Sequence, residues 1–224
     1  MDQRLQLFVR ERHDLCALLA SLSAPQWHAT TLDAGWTVED LVAHIVARER
    51  HLVESVWALL AQGRVGLDQD ALLARETARS HGALLASLRT MPPLPFRLPG
   101  VVAIANLSEA YIHNEDARRG DLQRPRQIGD DLHAALWPGL LLFARRLRRL
   151  PVTGSLTLTW PGQDQRVVAV GRSRRAAGPE ASATLSGAPG ELLLWLMGRK
   201  AAALVHLDGT EDLVTALRVA PLGM

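Results

Sequence analysis

Three ionisable residues interrupt helical patterns that are otherwise apolar on their inner faces. His44 stands in DLVAHIVARERH, between Leu41, Val42, Ile45 and Val46, and Glu109 and His113 stand four apart in NLSEAYIHNEDARRG. Residues four apart on a helix project from one face on successive turns, so Glu109 and His113 can chelate one ion. A third ligand from a neighbouring helix, with His44 as the candidate, would complete a His₂Glu set with one position open. That is the pattern of a catalytic divalent metal centre such as zinc. Spacing alone leaves alternatives open. A Glu and a His at this spacing can simply pair at the surface, and a lone histidine on an apolar face is more often a satisfied core residue. Asp116, three residues after His113, and the adjacent Glu115 can each be a further ligand or a carboxylate that orients an imidazole. His51, two turns beyond His44 on the same stripe, competes for its role.

The elements that must position these residues are helical through the first two thirds of the chain. From Gln3 to Leu22 the apolar residues Leu5, Phe8, Leu15, Leu18, Leu19 and Leu22 recur every three or four positions, which predicts an amphipathic helix closed by Pro25. Thr37 followed by Asp40 reads as a capping box opening a second helix that runs to about Gln62 and stops at Gly63 and Gly66. A third helix is expected from Leu67 to about Arg89. Four prolines between Met91 and Gly100 then impose an extended connection. Helical periodicity resumes from Val101 to about Arg119, and a fifth helix is expected from Asp130 to Leu150. Long helices joined by short connections predict an antiparallel bundle over residues 1–150.

At Pro151 the period changes from about 3.6 to 2. Ser155–Trp160 and Arg166–Val170 alternate as strands around a turn at Pro161-Gly162-Gln163-Asp164. A strand at Ala181–Leu185, a helix from Ala188 to about Ala202, a short strand at Leu204–Leu207 and a helix from Thr210 to about Arg218 follow. Residues 151–224 therefore read as a small α+β domain, and the fold class is a helical bundle followed by that domain.

Composition excludes several function classes. The 224 residues carry 25 Lys+Arg against 23 Asp+Glu, a formal charge of +2. The pI of about 9.3 reflects arginine usage, since Lys200 is the only lysine and Tyr111 the only tyrosine. It gives no support for a nucleic-acid partner. One cysteine, Cys16, cannot make an intramolecular disulfide. No apolar run approaches the roughly 20 residues of a membrane span, and the amino terminus lacks a signal-peptide core. The expectation is a cytoplasmic, soluble protein, a monomer or homodimer, with small-molecule partners and no membrane association.

The segment GWTVEDLVAHIVARER (35–50), together with NLSEAYIHNEDARRG, resembles the N-terminal metal-binding domain of the mycothiol-dependent maleylpyruvate isomerase family, within the DinB-like helical bundles. The resemblance implies that a histidine after the Gly-Trp-Thr helix start and a later Glu-x₃-His hold a divalent metal. On matching positions these are His44, Glu109 and His113. The segment ATLSGAPGELLLWLMGRKAAALVHLDGTEDLVTAL (183–217) is similar to the end of a sterol carrier protein type two-like domain, expected to cover or shape the site.

The resemblance further implies Zn²⁺, or Ni²⁺ in its place, and a low-molecular-weight thiol such as mycothiol or bacillithiol. A metal-stabilised thiolate would then act on a small electrophilic, anionic substrate by isomerisation or S-transfer. Isomerase members also use an arginine of the C-terminal domain near the substrate carboxylates, for which Arg199 is a candidate. As a solvated cation near a helix end, Arg199 has a plain alternative role. The rival functional class is a non-enzymatic small-ligand-binding protein with a structural or vestigial metal site.

Overall fold

The computed structural model describes residues 3–62, 69–171 and 181–223. The side chains of 51–62, 69–72, 95, 96, 101 and 102 lie outside that description. The helix stop expected at Gly63 and Gly66, and the side chain of His51, therefore fall outside the described residues. The chain divides into two compact units, Met1–Arg126 and Gln127–Met224.

The first unit contains helices α1 (Gln3–Ala20), α2 (Val38–Gln62), α3 (Gln69–Thr77), α4 (His81–Arg89) and α5 (Val101–Arg119). Helix α1 packs on α4 and α5, and α2 on α3, α4 and α5. Leu15, Leu19, Trp27, Leu41, Val42 and Leu84 anchor a common core, all at most 3% exposed. The capping box forms as its sequence requires. The Asp40 carboxylate accepts from the Thr37 amide at 3.0 Å and from its hydroxyl at 2.6 Å, and the Thr37 hydroxyl accepts from the Asp40 amide at 3.2 Å.

The single helix expected from Leu67 to Arg89 is interrupted. Ser80 is extended (φ −65°, ψ 149°) and its hydroxyl accepts from the Ala83 amide, so it starts α4 as an N-cap instead of continuing α3. The proline-rich connection holds one short 3₁₀ turn, Leu94–Arg97, within its extended course.

The second unit begins with α6 (Asp130–Leu136), a 3₁₀ turn at Trp137–Gly139, α7 (Leu140–Ala144) and a 3₁₀ turn at Arg145–Arg149. The sequence reads this stretch as one helix of the bundle. Pro138 explains the break, because it lacks the amide that a continuing helix must donate. The segment packs with the sheet unit, since α6 and α7 lie on α8 (Pro189–Leu196).

Strands β1 (Gly154–Trp160), β2 (Asp164–Val170), β3 (Ser182–Ser186) and β4 (His206–Gly209) form one sheet in the order β2-β1-β3-β4. β1 pairs antiparallel with β2 and parallel with β3, and β3 pairs antiparallel with β4. Period-two patterning sets which face is buried: Leu156, Leu158 and Leu185 are fully buried. The fourth strand lies two residues beyond its expected start, because the Leu204 amide donates to Glu191 Oε2 at 2.8 Å rather than to the ladder. Helix α8 stops short of Ala202. Gly198 adopts φ +88°, a left-handed conformation that ends a helix. Helix α9 (Glu211–Val219) follows. Among the described residues no helix is long and apolar enough to cross a membrane.

Candidate functional site

Helices α2 and α5 carry the three expected ligands, and the Ala29–Thr37 loop sets their relative height. The Leu32 amide donates to the Asp116 carbonyl at 3.1 Å, and the Asp121 amide to the Thr30 carbonyl at 3.0 Å, so the entry to α2 is laced to the end of α5. Gly120 permits the approach, since a β-carbon there would collide with the Thr30 carbonyl.

His44, Glu109 and His113 all line one pocket, together with Phe8, Arg12, Arg48, Glu49 and Asn106 among others. The pocket encloses about 450 Å³ of space not filled by atoms, part of it open to solvent. The rings of His44 and His113 meet edge to face, centroids 5.6 Å apart. Trp36, next to the cap, packs against His44 with centroids 4.8 Å apart. Burial first, then the neighbouring His113 and Arg48, push the His44 imidazole down to about 4, which keeps it neutral and able to ligate.

His113 is 3% exposed, and its Nδ1 lies 3.3 Å from Oδ2 of the fully buried Asp116. That contact fixes the ring and leaves Nε2 for a ligand, the arrangement by which a carboxylate orients a metal-binding histidine. Asp116 thus lies where a carboxylate that orients His113 would stand. The Glu115 carboxylate instead accepts from Arg119 Nε at 2.5 Å and Arg126 Nε at 2.8 Å.

Glu109 Oε2 is buried and, among the described residues, is held by an ion pair with Arg48 Nη1. Arg48 also donates to Asn106 Oδ1 at 3.1 Å. With Arg48 against the carboxylate, His44, Glu109 and His113 share a pocket without converging on a single point. Among the described residues, the trio whose ligand atoms all fall within 4.8 Å of one another is His28, Glu39 and His81. The sequence reading missed it, because its members are 11 and 42 residues apart and no helical period links them. The donor set of the pocket still suits a divalent ion: one neutral imidazole, one imidazole held by a carboxylate, and one buried carboxylate oxygen paired with a cation.

A second ionic pair lines the same pocket. The Arg12 guanidinium bonds Glu49 and donates to the carbonyls of Leu88, at 2.6 Å, and Thr90, at 3.0 Å. Burial pushes the Glu49 carboxyl above its ordinary range even with Arg12 beside it. Cys16 is buried and its thiol is pushed up by burial, so it is suited to packing and not to nucleophilic attack.

Arg199 lies in the second unit. It is 5% exposed, not a solvated cation, and its Nη1 donates to the Met197 carbonyl at 2.7 Å.

Residues 8–93 match the family model of the mycothiol maleylpyruvate isomerase N-terminal domain, a span that includes His44 and ends before Glu109 and His113. No curated protein matches the sequence. Two solved structures share its architecture. A crystal structure of the mycothiol-dependent maleylpyruvate isomerase has a TM-score of 0.60, and a crystal structure of a histidine-to-alanine mutant of that enzyme has 0.61. Each is 15% identical in sequence, with 93% of both chains covered. Over residues 8–93 the chain is therefore similar to a mycothiol maleylpyruvate isomerase N-terminal domain, and it shares the fold of the solved isomerase structures.

Proposed function

We propose that the protein is a divalent-metal-binding enzyme that depends on a low-molecular-weight thiol and catalyses isomerisation or S-transfer on a small anionic electrophile. The observation that carries this reading is the gathering of His44, Glu109 and His113 into one pocket from two helices of the matched fold. His44, Glu109 and His113 would hold the ion. Bound there, a divalent cation would supply the charge that favours thiolate over thiol at neutral pH.

The chain's own groups do the rest. Asp116 holds His113 in the ligating orientation, and Trp36 packs His44 from behind. Phe8, Leu15, Ile45 and Leu88 give the pocket apolar walls that exclude water from a reacting carbon. Arg48 sits between Asn106 and Glu109, where it can turn its charge to a substrate carboxylate once Glu109 is engaged elsewhere.

The test has two readouts. Protein purified without added metal should contain zinc or a similar ion, and His44→Ala or His113→Ala should remove about one equivalent per chain. Retention of full metal content by both variants would contradict the ligand assignment. Separately, maleylpyruvate should be isomerised with mycothiol or bacillithiol and not with the thiol omitted. Loss of metal without any thiol-dependent turnover of this or of other unsaturated or chlorinated acceptors would favour a binding protein.

A further inference from the structure

On the first unit, outside the residues that line the pocket, three residues from three elements converge on one point. His28 ends the short 3₁₀ turn Ala24–His28, Glu39 lies in the first turn of α2, and His81 opens α4. Glu39 Oε1 is 3.0 Å from His81 Nε2, and its Oε2 is 3.4 Å from His28 Nδ1. The two rings lie nearly edge to face, centroids 5.8 Å apart. The His81 ring is further stacked on Trp27 at 4.4 Å, with the planes within 4°, and Trp27 is only 3% exposed. A buried indole therefore fixes the plane of one imidazole, while the carboxylate sits between both rings.

We propose that His28, Glu39 and His81 form a second divalent transition-metal site, independent of the pocket that holds His44. Around an ion with bonds of about 2.0–2.1 Å, neighbouring tetrahedral donors lie roughly 3.3 Å apart. The imidazole–carboxylate separations of 3.0 and 3.4 Å are already of that size. One donor atom from each residue lies within 4.8 Å of the others, so an ion can be reached by side-chain rotation alone. Two imidazoles and one carboxylate select Zn²⁺, Ni²⁺ or Cu²⁺ over Mg²⁺ or Ca²⁺, which prefer all-oxygen shells. The His28 side chain is 63% exposed and that of His81 28%, so ion and water have access to the remaining positions.

An ion here clips the 3₁₀ turn to the starts of α2 and α4. Glu39 lies five residues before His44 on the same helix, so the clip would also steady the helix that carries the pocket's histidine.

The test titrates Zn²⁺ alone into chelator-treated, full-length protein by calorimetry, comparing wild type with His28→Gln, Glu39→Gln and His44→Ala. Because His28 is exposed, His28→Gln should leave the metal-free urea midpoint nearly unchanged. It should weaken one Zn²⁺-binding step at least about tenfold, the lower end of what loss of a supporting group costs a metal site. Glu39→Gln should weaken the same step, and His44→Ala should leave it intact. Cu²⁺ binding should also quench Trp27 fluorescence in wild type and much less in His81→Gln. The proposal fails if His28→Gln and Glu39→Gln bind as many ions as wild type with equal affinity. It fails equally if wild type binds none beyond those that His44→Ala abolishes. Two plain imidazole–carboxylate hydrogen bonds would give that second result.

Discussion

The pair Arg12–Glu49 offers the sharpest quantitative test of how the pocket wall is built. Both residues are buried, 6% and 7% exposed, and Arg12 serves three acceptors: Glu49 and the carbonyls of Leu88 and Thr90 at the end of α4. Arg12→Met would strand a buried carboxylate and two carbonyls, and breaking a buried pair in this way costs about 3–5 kcal/mol. Burial already raises the Glu49 carboxyl despite its partner, so the attraction does not fully offset desolvation. The double variant Arg12→Met, Glu49→Leu removes both charges together and leaves only the two carbonyls without a donor, at about 1–3 kcal/mol. It should therefore be more stable than Arg12→Met alone by roughly 2 kcal/mol, whereas independent sites would make the double variant less stable than either single one. Urea unfolding of the full chain followed by circular dichroism, compared at equal slope, measures it. Simple additivity of the two single variants, or a cost below about 1 kcal/mol for Arg12→Met, would refute the reasoning.

Two further perturbations probe the ligand helices. In metal-free protein, the His44 imidazole pushed down to about 4 binds its proton less readily than in the unfolded chain. Its contribution to stability is therefore complete above about 6.5 and lost as pH falls towards 4. The full shift converts to about 3.4 kcal/mol, and partial exposure reduces this to about 2. Urea midpoints at pH 7 and 4.5 should show that loss in wild type and not in His44→Gln; equal loss in both would remove the assignment. Gly120→Ala should cost about 1–3 kcal/mol by forcing the loop off the end of α5. A thermal midpoint equal to wild type would show that the contact yields without strain.

Local chemistry made much of the fold legible in the chain. The start of α2 at its Thr37–Asp40 capping box, the span of α5 and the β1–β2 hairpin around Gly162 follow from caps, glycines and periodicity, which act over a few residues. The misreadings share one cause. Ser80 and Pro138 break helices whose apolar pattern runs on through them, and the segment from Asp130 shows its helical character but not the unit it packs with. Periodicity reports which face is apolar and says nothing of what covers it.

The candidate site divides in the same way. The sequence alone supplied His44, Glu109 and His113 as interruptions of apolar faces, because a charge among leucines is visible one residue at a time. Only the tertiary structure showed that Asp116 grips His113 while Glu115 is spent on Arg119 and Arg126, that Arg48 stands against Glu109, and that Arg199 is buried. Only it brought His28, Glu39 and His81 together. Such partnerships depend on how far apart two helices sit and how they are rotated. Those quantities are set by packing across the whole unit, and no spacing along the chain encodes them.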